Sequence, residues 1–266
     1  MEVLEIIGYV GALIVGVVLG LMGGGGSIIT IPILTYLFQL NPITTTAYSL
    51  FVVGTSSSIG TLSNWNKGLI DYRVALVFSI PSFLAVYAVR KYIMPQIPAE
   101  ILTLNELVIT KDMVIMVFFA VIMIASAVSM IKKKKGFTTH KMTNQLNYPL
   151  IILAGIGIGL LTGIIGIGGG FLIIPTLVLL LNIDMKKAVA TTLFIIAIKS
   201  LVGFLGDIGH TEINWTFLVL FTALSTIGIY FGTYLSAFIK TVNLKKSFGW
   251  MILLVSVTIL YKELFA

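Results

Sequence analysis

Several stretches of this chain run for about 20 residues without a charge, long enough to cross roughly 30 Å of hydrocarbon as helix. No other feature narrows the possible folds as far. Of the 266 residues, 58% are hydrophobic and only 10% are charged, with a mean hydropathy of +1.09. A soluble domain of this size carries roughly 25% charged residues. No polar stretch is long enough to build a soluble domain, so the sequence predicts an all-α polytopic membrane protein in a lipid bilayer. The chain has no cysteine, which excludes disulfides and thiolate metal sites. His140 and His210 both lie in predicted loops, so no histidine-based metal site is expected. The start, with Glu2 and Glu5, lacks the basic region and small-residue cleavage site of a signal peptide. A net charge of +7 raises the question of nucleic acid, but the lysines fall in short loops between spans and read as topology signals.

Shifted by 143 residues, the chain matches itself. Gly23 falls on Gly166, Gly25 and Gly26 on Gly168 and Gly169, and Pro32 on Pro175. Leu50 and Phe51 meet Leu193 and Phe194, Ser57 meets Ser200, and Gly60 meets Gly203. Over residues 20–73 there are 15 identities in 54 positions without a gap. The repeat divides the chain into a first half, residues 1–135, a basic linker, 136–148, and a second half, 149–266. Hydropathy and helix breakers place short pieces at 8–22 and 27–40, then spans at 43–62, 74–94 and 112–131. The second half gives short pieces at 149–165 and 170–181, then spans at 187–206, 215–239 and 247–265.

A helix of about 14 residues rises only about 21 Å, less than the hydrocarbon thickness. Each short pair is therefore one bent helix or a broken hairpin that enters and leaves by one face. Charge favours the hairpin. With the lysine loop 132–135 placed in the cytoplasm, that reading puts 12 of the 17 basic residues inside, Lys67, Arg73, Lys186, Lys187 and Lys240 among them. Each half then makes an odd number of crossings, and the two repeats are inverted. Inverted repeats with broken helices and a midplane site are a recurrent build of secondary transporters.

Glycine in a helix interior costs about 1 kcal/mol against alanine, and proline about 3 kcal/mol. The clusters at 23–26 and 168–170 thus need a reason. Broken backbone is tolerated in a bilayer only when buried in protein or lining a wet cavity. A hairpin tip at 23–27 or 166–170 would expose the N–H groups and positive dipole end of the helix that follows, a geometry suited to anions. The candidate tip residues are Gly23, Gly24, Gly25, Gly26 and Ser27 in one copy, and Gly166, Gly168, Gly169 and Gly170 in the other. The isolated Gly11, Gly16, Gly155 and Gly159 read instead as packing positions. Pro32 and Pro175 either kink the short helices or begin them, leaving 27–31 and 170–174 extended; the sequence leaves both open.

The span after each hairpin carries a polar stripe. Ser49, Ser56 and Gly60 share one helical face, and their repeat partners are Thr192, Lys199 and Gly203, with Ser57 and Ser200 alongside. Singly, such hydroxyls usually bond their own backbone; as a stripe they read as a cavity wall. Lys199 stands apart, because every other charged residue lies at a span end or in a loop. A charged lysine at mid-span costs roughly 2.5–3.5 kcal/mol on insertion scales. No mid-span carboxylate offsets it, so it must snorkel, stay neutral or meet an anion from outside. An occupancy-dependent charge on Lys199 would couple a proton to transport. The absence of mid-span acids disfavours cation carriers and a retinal-type sensor, which needs a counter-ion. No cofactor and no metal are expected.

The segments "GLMGGGGSIITIPIL" and "GIIGIGGGFLIIPTL", followed by "TTAYSLF" and "AVATTLF", resemble the sulfite exporter TauE/SafE family, also called the toluenesulfonate uptake permease family. The resemblance covers roughly residues 8–264 and implies a prokaryotic, multi-pass inner-membrane carrier of small anions such as sulfite, organosulfonates, or related sulfur and carboxylate compounds. The family motif maps onto Gly23, Gly25, Gly26, Pro32, Gly166, Gly168, Gly169, Gly170 and Pro175. The first copy has Ser27 where the second has Gly170, so the two tips need not bind equally. The expectation is a permease working by alternating access around a midplane site. An anion channel, a carboxylate carrier and a non-transporting membrane scaffold are the competing readings.

Overall fold

The computed structural model describes residues 3–65, 67–93, 96, 100–104, 107–132, 148–165, 169–181, 183–207 and 213–265. In chain order the helices are α1 (Val3–Met22), α2 (Gly26–Pro32), α3 (Pro42–Trp65), α4 (Tyr72–Ala88), α5 (Lys111–Ile131), α6 (Tyr148–Ile165), α7 (Gly170–Leu179), α8 (Met185–Asp207), α9 (Trp215–Phe238) and α10 (Thr241–Phe265). π-Helical turns extend α2 over Ile33–Leu37 and α4 over Val89–Ile93. Between α4 and α5, strands β1 (Glu100–Leu104) and β2 (Leu107–Thr110) pair antiparallel, a small addition to an otherwise helical fold.

Short polar side chains set several helix starts. Asn41 Oδ1 accepts the Thr44 N–H at 2.8 Å, Asp71 Oδ1 that of Val74 at 3.1 Å, and Asn214 Oδ1 that of Phe217 at 3.1 Å. Each satisfies a first-turn amide that the helix itself leaves open. The starts of α3, α4 and α9 accordingly lie within two residues of the predicted spans. The start of α1 differs. It opens at Val3 rather than residue 8, with Glu5 in its first turn, where the helix dipole favours an acid. At 20 residues α1 is about 30 Å long, longer than the short piece the sequence predicts.

Among the described residues, five helices are long and apolar enough to cross a membrane: α1, α4 with its π-turn, α8, α9 and α10. α3 has the length, at 24 residues, but is rich in Ser and Thr. Large apolar side chains face outward, as Leu76, Ile80 and Leu84 do along α4. Such exposed stripes suit lipid and would be a liability in water. The chain is a polytopic helical membrane protein.

The first hairpin is directly visible in the packing. A Cβ on Gly26 would meet Leu19, one on Gly11 would meet Ile33, and one on Gly8 would meet Phe38, so the chain after the glycines runs back along α1. The larger contacts exchange partners between halves. Gly16 and Gly20 of α1 lie against Ser225, Gly228 and Gly232 of α9, with the two helices parallel. At positions offset by 143, Gly159 and Gly163 of α6 lie against Ser82, Ala85 and Val89 of α4, also parallel. Counterpart helices α3 and α8 pack antiparallel, with Leu50 by Gly203, Gly54 by Leu201 and Gly60 by Leu193. α5 packs on α10, and α2 meets α7 at the tips.

Candidate functional site

Both glycine clusters turn the chain sharply. Gly23 (φ +69°) and Gly169 (φ +73°) occupy the left-handed region, which strains any residue with a Cβ. The two tips touch. A Cβ on Gly24 would overlap the Gly170 carbonyl, and one on Gly170 would come within 2.6 Å of Gly24 Cα. A Cβ on Gly25 would come within 2.8 Å of Val18 and Met251, and one on Gly26 within 2.7 Å of Leu19, so both sit in tight surroundings. Gly166 and Gly168 lie outside the described residues, as does the side chain of Ser27, whose backbone is in α2. The residues after both tips are helical, and Pro32 and Pro175 sit inside those helices rather than starting them. The extended alternative is thereby set aside. Proline removes an N–H donor from the helix, and after Pro32 the chain widens into its π-turn.

Lys199 is the only buried charged side chain among the described residues, at 4% exposure. Its Nζ donates to Thr162 Oγ1 at 2.6 Å and lies 3.3 Å from where a Gly169 side chain would begin. The ammonium therefore stands at the N-terminus of α7, beside the positive end of that helix dipole. Leu172 and Ile173 N–H already bond the Gly169 carbonyl at 3.0 and 3.2 Å, which leaves fewer first-turn amides for a ligand than a bare helix end would offer. Two positive ends thus converge on one buried point, an arrangement that an anion between them would relieve.

The stripe residues are buried around the α3–α8 crossing. Ser49, Ser56, Ser57, Thr192 and Ser200 are each 1% exposed or less. Ser56 Oγ donates to Ser225 Oγ of α9 at 3.2 Å. The hydroxyls of Ser49, Ser57, Thr192 and Ser200 have no hydrogen-bond partner among the described residues. Nearly all buried polar groups in native proteins find a partner, so four orphans along one helix pair point to something that joins them in use. The tips themselves are closed, Gly24 pressed on Gly170. A shallow depression of about 430 Å³ lies elsewhere, bounded by residues 68–73 and Lys187.

Several of these neighbours escape a reading of the sequence alone. Thr162 falls on Leu19 in the repeat, so internal comparison gives no hint of it; its one signal is being the sole hydroxyl in an otherwise apolar stretch of α6. Ser79 and Ser82 of α4 and Thr222 and Ser225 of α9, all buried, correspond at the same 143-residue offset. Extending the repeat past residue 73 finds them. Thr162→Val removes an acceptor from a buried ammonium, and hydrogen bonds to charged groups contribute about 1.5–3 kcal/mol. A drop in stability of that size is expected in thermal melts in detergent, and Thr162→Ser should restore most of it.

The chain matches the family described as "Sulfite exporter TauE/SafE" over residues 9–259. It is 25% identical over 253 residues to a "Probable membrane transporter protein" of Xylella fastidiosa Temecula1, covering 94% of this chain and 92% of that one. It is likewise 25% identical over 277 residues to "Probable membrane transporter protein YunE" of Bacillus subtilis, covering 96% of each. With YdhB of the same organism, named in the same terms, the identity is 26% over 235 residues, 88% of this chain and 91% of the relative. No solved structure matches the chain.

Proposed function

The chain belongs to the TauE/SafE sulfite exporter family of membrane transporters, and from that premise we propose that it is a secondary carrier of small anions, with sulfite or an organosulfonate as the favoured substrate. The observation that carries this reading is the placement of the Lys199 ammonium at the N-terminus of α7, donating to the buried Thr162 hydroxyl, in a chain with no mid-span carboxylate. Backbone N–H groups at the tips, the orphaned hydroxyls and Lys199 together would replace the hydration shell that an anion leaves in water.

The antiparallel packing of α3 on α8 supports an inverted relation between residues 1–135 and 149–266. A repeat axis in the membrane plane turns each helix against its counterpart head to tail, whereas an axis along the membrane normal keeps counterparts parallel. Alternating access then becomes a rocking of one packed unit against the other about the closed tips. Protonation of Lys199 linked to occupancy would carry a proton with the anion. By the positive-inside rule the lysine loop 132–135, of which 133–135 lie outside the described residues, would face the cytoplasm of an inner-membrane protein.

The test is transport by the purified protein in liposomes. A carrier is expected to give sulfite uptake that saturates and is accelerated by internal sulfite in counterflow. Ohmic currents in planar bilayers, with no counterflow, would identify a channel instead.

A further inference from the structure

We infer that the two halves are joined by a matched pair of clasps, one toward each end of the molecule, and that these are the alternating gates of the transport path. The inference rests on the carrier reading and deepens it by naming the residues that open and close access to the site. At the 143-residue offset Asp71 is equivalent to Asn214, and Tyr48 to Thr191. Asn214 starts α9, and its backbone N–H donates to Tyr48 Oη of α3 at 2.6 Å. Asp71 starts α4, and its backbone N–H donates to Thr191 Oγ1 of α8 at 3.0 Å. Each bond ties the start of one helix to a buried hydroxyl of the opposite half. The neighbouring residues repeat the match. Trp215 meets Phe51 with ring centroids 6.0 Å apart at 85°, and their equivalents, Tyr72 and Phe194, meet at 5.8 Å and 87°. Tyrosine and threonine differ in size and shape, yet each brings a hydroxyl to the same backbone group, which a packing accident would not reproduce.

The clasps lie at opposite ends of the α3–α8 crossing. Leu50 stands by Gly203 and Leu193 by Gly60, so the levels of Tyr48 and Thr191 are about 20 Å apart along the antiparallel pair. Lys199 and the orphaned hydroxyls of Ser57 and Ser200 fall between those levels. A clasp is made to open. The N–H at a helix start has no partner within its own helix, so water entering an open clasp replaces the hydroxyl. A hydrogen bond and a ring contact are each weak beside the backbone-to-backbone packing of Gly16 on Ser225 in α1 and α9. α3 and α8 are packed on each other at Gly54 and Gly60 and tilt as a pair. A tilt that lifts Tyr48 and Phe51 off α9 pivots on Thr191 and Phe194 against α4, and the reverse tilt exchanges the two ends. Both clasps are shut in this structure, in keeping with the closed tips.

The chain has no cysteine, so introduced cysteines report only on the positions chosen. Phe51→Cys with Trp215→Cys, and separately Phe194→Cys with Tyr72→Cys, are joined by a bis-methanethiosulfonate cross-linker in proteoliposomes. Sulfite uptake by each joined protein is expected to be at least about tenfold lower than by the same protein after reduction. Uptake that joining leaves unchanged at either pair overturns the inference. If a pair does not fold or transport, conservative variants decide. Ser57→Cys is expected to react faster with a membrane-impermeant maleimide when Tyr48→Phe or Thr191→Val loosens one clasp. The faster reaction comes from opposite membrane faces in the two cases, read in right-side-out and inverted vesicles. Any other pattern, including the same face for both or no change in either, overturns the inference. Absence of sulfite uptake by the unmodified protein sinks the carrier reading, while the labelling comparison still decides whether the clasps gate the interior.

Discussion

Replacing Lys199 by alanine is expected to abolish anion flux in proteoliposomes while leaving the protein folded and in the membrane. The side chain is 4% exposed in the middle of α8 and donates to the Thr162 hydroxyl at 2.6 Å. Its removal should not lower expression. With a substrate it is the one full positive charge available to pair with the anion. Removing one member of a buried charge pair typically costs about 3–5 kcal/mol, which corresponds to a loss of roughly 10²–10⁴-fold in affinity or rate. Lys199→Gln keeps much of the volume and a donor but loses the charge, so its flux should fall nearly as far. Undiminished sulfite uptake by either variant would remove the lysine from the mechanism.

The second large effect concerns stability. Gly16→Ala and Gly228→Ala are each expected to cost more than about 3 kcal/mol, above the usual 1–3 kcal/mol for overpacking. A Cβ at Gly16 would overlap the Ser225 carbonyl, and one at Gly228 the Leu13 carbonyl. Backbone cannot move aside as a flexible side-chain tip can, and the helices would have to separate along their length. Small residues allow this close approach in membranes, where packing rather than hydrophobic burial holds helices together. Gly157 of α6 supplies the control, because a Cβ there meets nothing within 4 Å. Gly157→Ala should be neutral to stabilising, by up to about 1 kcal/mol relative to the parent. Melting in detergent, with size-exclusion profiles to detect aggregation, measures all three; a parent-like melt for Gly16→Ala would refute the close-packed interface.

The helices were legible because lipid imposes a plain rule, apolar runs of fixed length bounded by polar caps such as Asn41, Asp71 and Asn214. Lys199 was legible because its cost demands an explanation, and the glycine clusters because helices avoid them. Which helix packs on which was not legible. In a bilayer both faces of a span are apolar, so the hydrophobic pattern that orients helices in water says little. The spacing of Gly16 with Gly20 and of Gly228 with Gly232 identifies packing faces but not their partners. The meeting of Gly24 with Gly170 joins residues too distant in sequence for any local pattern to reveal. Thr162 was missed because it breaks the repeat, and the β1–β2 hairpin because its residues lie in a short connection between two strong spans.

The exchange of partners between the halves bears on how the protein is made. α1 is synthesised first, yet the helix that covers its glycine face, α9, is the ninth of the ten described helices to leave the ribosome. Until then Gly16 and Gly20 face lipid or some temporary neighbour, and the first half has no complete structure of its own. Biogenesis must therefore finish late and all at once, and a chain truncated before residue 215 should be recognised as unfinished by membrane quality control.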